Sequence, residues 1–83
     1  MKRIRKKLYK ILRNIGIQRD IIYLCSINNE RLLFDDFEEA YFLNLLEDSF
    51  DIQISNEDLD SLKTIDDTVD YLHVKLETFK KQI

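Results

Sequence analysis

The sequence has no proline, no tryptophan and a single glycine, Gly16. With so few chain breakers, helices joined by short polar turns are the default reading. One glycine also rules out a glycine-rich loop of the kind that cradles phosphate. The lone cysteine, Cys25, cannot form an internal disulfide. Uninterrupted apolar runs are only a few residues long, which excludes a membrane-spanning helix. The basic start is followed by neither an apolar stretch nor a small-residue cleavage site, so no secretory signal is expected and the chain reads as cytoplasmic. His73, the only histidine, shares no motif with Cys25. The two read as a surface histidine and a loop cysteine packed against helices. The stretch Asn56-Glu57-Asp58-Leu59-Asp60 lacks the turn glycine and terminal glutamate of a calcium loop. No metal site, no catalytic residue and no enzymatic activity are therefore expected.

What is present suits one small helical domain covering residues 1–83. Hydrophobic residues make up 45% of the chain and charged residues 35%, a balance that favours a packed core over a disordered tail. The charge is unevenly placed. Lys2, Arg3, Arg5, Lys6, Lys7, Lys10, Arg13 and Arg19 give the first nineteen residues +8 with no acid among them. All sixteen acids follow, against five bases (thirteen less those eight), which gives −11 and a total of −3. Such a split draws one end toward polyanions and the rest toward cationic surfaces.

Apolar residues Ile4, Leu8, Ile11, Leu12 and Ile15 fall at helical spacing, so a first helix is expected over about 3–15, closed by Gly16 as a left-handed cap. From Ile17 to Phe34 no period is clean. Ile17, Ile21, Ile22, Leu24, Leu32 and Leu33 suggest a loop of about 18 residues pinned to the core and broken at Asn28-Asn29. Asp35 followed by Glu38 is a capping-box signal for a second helix over about 36–50. Ser55 with Asp58 repeats it for a short helix over about 56–61. Thr64 with Asp67 repeats it again for a last helix over about 65–79, whose stripe is Ile65, Val69, Leu72, Leu76 and Phe79. Lys80 and Lys81 complement the dipole at its end.

This plan, with Phe50-Asp51-Ile52-Gln53-Ile54, Thr64-Ile65, Asp70-Tyr71-Leu72 and the early Ile15-Gly16-Ile17, resembles the acyl carrier protein family along essentially the whole chain. The resemblance implies an all-α four-helix bundle with a long loop between helices 1 and 2 and a short third helix. It also implies a serine at the start of helix 2, within a D-S-L triplet, that carries a phosphopantetheine arm. Here the matching triplet is Asp35-Asp36-Phe37, and the usual D-L-G approach reads Arg31-Leu32-Leu33. Asp36 has no hydroxyl for a phosphodiester link. The thioester chemistry belongs to the arm, so losing its attachment point loses that function. No cofactor is then expected. Two other triplets look similar but sit badly. Asp60-Ser61-Leu62 leaves no room for the remaining helices, and Asp48-Ser49-Phe50 lies at the wrong end of helix 2.

In the family, acids on helix 2 dock onto basic patches of partner enzymes. Glu38, Glu39, Glu47 and Asp48 keep that character, whereas Tyr41 stands where a recognition acid is usual. At about 100° per residue, Phe37, Tyr41, Asn44, Leu45 and Asp48 share roughly one quadrant, away from the core arc of Phe42, Leu43, Leu46 and Phe50. The expected docking set is thus Asp35, Asp36, Phe37, Glu38, Tyr41, Leu45, Glu47 and Asp48. The expected role is a carrier-like docking or regulatory module for a protein with a basic surface, an enzyme of acyl metabolism being one candidate. Weak self-association through the basic first helix is a further expectation. Two alternatives stay open: a genuine carrier of fatty acid or polyketide synthesis modified at another serine and loaded with 4'-phosphopantetheine, and a polyanion binder using the first helix. Nucleic acid is disfavoured by the −11 elsewhere and by the lack of interleaved aromatic and basic residues.

Overall fold

Five helical segments follow one another: α1 (Lys2–Ile15), α2 (Arg19–Asn28), α3 (Asp36–Phe50), a 3-10 helix (Asn56–Leu62) and α4 (Ile65–Lys81). The computed structural model describes the backbone of residues 2–81 and the side chains of residues 3–77. The side chains of Phe79, Lys80 and Lys81, invoked above for the last helix, lie outside the described residues. Among those described, no helix is long and apolar enough to cross a membrane.

α1 places Ile4, Leu8, Ile11 and Leu12 on one buried stripe, facing Phe42, Leu46 and Phe50 of α3 and Ile65, Val69 and Leu72 of α4. Burial of such side chains stabilises by about 1.5–3 kcal/mol each. Gly16, at φ +112, ends α1. The Ile17 N–H reaches the Leu12 carbonyl at 3.1 Å and the Gly16 N–H the Arg13 carbonyl at 3.0 Å. That pair of bonds is a Schellman closure, which satisfies carbonyls the helix end leaves open.

The expected 18-residue loop is instead largely helix. α2 occupies Arg19–Asn28, and Asn29 closes it in the left-handed region at φ 52, with the Glu30 N–H on the Cys25 carbonyl at 3.1 Å. Its periodicity is masked because only Ile22 and Cys25 are buried, while Ile21, Tyr23, Leu24 and Ile27 face solvent. Of the residues expected to pin this segment, Ile22 is buried and Ile17 and Leu32 are half-buried, but Ile21, Leu24 and Leu33 are exposed. Cys25 is a buried helix residue, and burial pushes its thiol pKa up, with the charge of Glu30 adding to the effect. The loop that remains, 29–35, is fastened by the Leu32 N–H to the Lys63 carbonyl at 2.7 Å beside an Arg31–Thr64 bridge.

The start of α3 has a full capping box: the Glu38 N–H donates to Asp35 Oδ1 at 2.7 Å, and the Asp35 N–H donates to Glu38 Oε1 at 3.1 Å. α4 is capped by Thr64, whose hydroxyl accepts from the Asp67 N–H at 3.0 Å. The Ser55 signal does not act as a side-chain cap. The Asp58 N–H bonds the Ser55 carbonyl at 3.0 Å, and the Asp58 carboxylate is taken by Tyr71.

Candidate functional site

α3 begins on a loop held by backbone bonds and a capping box, so its first turn is positioned from both sides. Asp36 is the first helical residue and its side chain is exposed. It shares the turn with Glu38 and Glu39, all favourably placed against the positive end of the helix dipole. No serine or threonine occurs anywhere between Ser26 and Ser49. The first turn of α3 therefore offers carboxylates and no aliphatic hydroxyl.

The outer quadrant of α3 is partly apolar. Phe37 is 81% exposed and Tyr41 42%, while Asn44 and Asp48 are also exposed. Leu45 is half-buried against the core and forms only the edge of that strip. Leu33, at 88% exposure just before the helix, adds an apolar side chain beside Phe37 in the chain that the helical spacing did not reveal. Glu47 has a structural partner: its Oε2 accepts from the Ile54 N–H at 2.9 Å, steadying the segment that leaves α3. Asp35 and Glu38 are likewise engaged with each other through the cap.

Behind the start of α3, a cavity of about 190 Å³ lies between the 29–35 loop and the 3-10 helix, lined by Leu32, Phe34, Leu43, Leu59 and Leu62 among others. Ligand pockets usually run to about 300–1,000 Å³. A larger open groove of about 1100 Å³ lies between the 51–53 segment, the 3-10 helix and α4. Asp51, Asp60, Asp67 and Asp70 border it with Tyr71 and Lys75. Ser61 is exposed on its wall, near the end of the 3-10 helix. Ser49 is exposed in the last turn of α3, and its carbonyl accepts from Lys7 Nζ at 3.2 Å.

Not all the cations of α1 face solvent unengaged. Arg5 Nη2 meets Asp66 Oδ1 at 2.9 Å, and Arg5 Nη1 donates to the Ser26 hydroxyl at 3.2 Å and the Tyr9 hydroxyl at 3.3 Å. This node joins α1, α2 and α4, across separations no local pattern discloses. Lys7 stands 5.2 Å from the Phe50 ring centroid. Arg3, Lys6, Lys10 and Arg13 are exposed. His73 is half-buried, with Nε2 3.5 Å from Glu77 Oε1. Among the described residues no group of three acids, histidines or cysteines could hold a metal ion.

Several curated proteins are similar to the chain over most of its length. The acyl carrier protein of Buchnera aphidicola subsp. Schizaphis graminum is 34% identical over 74 residues, covering 89% of the chain and 90% of that protein. The acyl carrier protein of Chlorobium luteolum is 31% identical over 70 residues, covering 83% of the chain and 90% of that protein. The chain belongs to the acyl carrier protein family. A shorter match, at 44% identity over 41 residues, links it to the acyl carrier protein of Syntrophus aciditrophicus and covers about half of each, 49% and 51%. No family model and no solved structure matches the chain. The helical bundle agrees with an acyl carrier fold, and α3 is the helix that the resemblance makes the recognition helix.

Proposed function

We propose that the chain is an acyl carrier relative that keeps the bundle and an acidic docking helix but has lost the prosthetic arm. In this reading it is not an enzyme, and it acts as a docking or regulatory module for a protein with a basic surface. The observation that carries the proposal is the first turn of α3. Asp36 occupies the place where the resemblance puts the attachment serine, and no serine or threonine lies between Ser26 and Ser49 on either side of it. A carboxylate cannot take up phosphopantetheine as a phosphodiester, so the residues present do not fit the group.

Without an arm, recognition rests on surface contacts. Phe37 and Tyr41 supply the exposed apolar part, with Leu45 at its edge. Asp36 and Asp48 are the flanking acids with no internal hydrogen bond among those of the described residues. Aromatic anchors within a polar rim are the usual composition of an energetic hot spot. Capture of a basic partner by the purified chain, lost in Tyr41→Ala and in Phe37→Ala, tests the docking role. Equal capture by wild type and both variants would remove α3 as the docking surface.

A further inference from the structure

We propose that the outer face of α2, together with the cationic side of α1, binds the surface of an anionic lipid bilayer. This surface uses no residue of α3 and stands independently of the docking reading above.

α2 has an unusual outer side. Ile21 is 50% exposed, Tyr23 64%, Leu24 45% and Ile27 58%. At about 100° per residue these four fan over roughly 160° of the helix, on the side away from buried Ile22 and Cys25. A surface helix normally carries polar residues there. Contiguous apolar patches with a polar border mark contact sites on proteins or membranes. The border here is net cationic: the hollow between α1 and α2 brings Arg13 and Arg19, with the single acid Asp20, up to Tyr23, Leu24 and Ile27. Exposed Arg3, Lys6 and Lys10 extend the positive field along α1, and Asp20 and Glu30 are the acids of the α2 segment.

Charge and shape together decide between occupants. The hollow takes in Tyr23, Leu24 and Ile27, so a partner helix seated there would cover those three and leave Ile21 outside it. A deformable apolar medium can take all four at once, as for helices that lie in the headgroup boundary with lysines and arginines beside them. Basic clusters next to such helices are drawn to anionic headgroups. The acids around the 3-10 helix and α4, Asp51, Asp60, Asp67 and Asp70, would be repelled by the same surface, which favours one orientation.

The test is flotation of the full chain with vesicles of phosphatidylglycerol and phosphatidylcholine, beside vesicles of phosphatidylcholine alone. Capture by the anionic vesicles only is expected, weakening with salt. Lys6→Gln and Lys10→Gln should each weaken partition about fivefold. The double variant Leu24→Asp/Ile27→Asp should not float, and its melting curve should match the wild type because both positions are exposed. As the chain has no tryptophan, the emission of a Tyr23→Trp variant should shift to the blue on anionic vesicles, a reading that stands even if the double variant fails to fold. No capture at low salt, or undiminished capture of a folded double variant, would overturn the proposal. So would an unshifted Tyr23→Trp emission. Vesicle-independent dimers lost in the double variant would instead make this face a contact between copies of the chain.

Discussion

The Tyr71 hydroxyl donates to Asp58 Oδ2 at 2.7 Å, tying the 3-10 helix to α4 through a half-buried phenol and carboxylate. Lys75 Nζ stands 3.9 Å from the same oxygen and 5.7 Å from the Tyr71 ring centroid. The pair ties down a segment whose own cap, Ser55, makes no side-chain bond.

This pair predicts an alkaline signature. Burial first, then the hydrogen bond to Asp58, pushes the Tyr71 phenol from 10.0 up to about 12. A raised folded-state pKa gives stability that is complete below the unfolded value and is lost as pH climbs through the folded one. Tyr71→Phe should therefore be less stable than wild type by about 1 kcal/mol at neutral pH. That gap should close between pH 10 and 12. Denaturant melts of both proteins across that range check it, and a constant gap would contradict the assignment.

Glu47 gives a second prediction, which separates scaffold from docking surface. Its carboxylate holds the Ile54 N–H at 2.9 Å. Glu47→Ala should cost on the order of 1–2 kcal/mol, while Glu47→Gln, which keeps an acceptor, should retain much of that. Asp48→Ala, on an exposed neighbour, should stay within about 0.5 kcal/mol. Thermal melts that ranked Asp48→Ala as the worse variant would show that Glu47 is no more structural than its neighbour.

How much of this was legible beforehand depends on where the signal sits in the chain. Ile4, Leu8, Ile11 and Leu12 announce α1 because one face of that helix meets the core along its length, and Asp35 with Glu38 announces α3 because a capping box is local. α2 was unreadable as a helix: its exposed positions are as apolar as its buried ones, so no period survives. The ties of Arg5 to Asp66 and of Glu47 to Ile54 are tertiary, and charge alone assigned both side chains to open surface. Asp36, by contrast, stands out once the resemblance marks position 36 as the place of the attachment serine. Leu33 was misplaced because apolar character says nothing of which way a loop residue turns.

Within α3, two aromatic residues should behave oppositely. Phe50 is 8% exposed and packs in the core, and Phe50→Ala should cost roughly 3–5 kcal/mol. Tyr41, at 42% exposure, should give up at most about 0.5 kcal/mol of stability. Its truncation should cost on the order of 1–2 kcal/mol of partner binding instead. Circular-dichroism melts paired with partner titrations measure both. Equal destabilisation by the two substitutions would place Tyr41 in the core and remove the docking strip.

The central claim, that the bundle persists without its prosthetic arm, is tested most directly by intact mass after incubation with a promiscuous phosphopantetheinyl transferase and coenzyme A. The wild-type chain should show no added mass, because position 36 offers a carboxylate. Asp36→Ser alone should be modified poorly or not at all, since Leu32-Leu33 replaces the family's approach to the site and Tyr41 its recognition acid. Quantitative addition of one arm to the wild type would contradict the account, and its mapping to Ser61 or Ser49 would make the chain a working carrier.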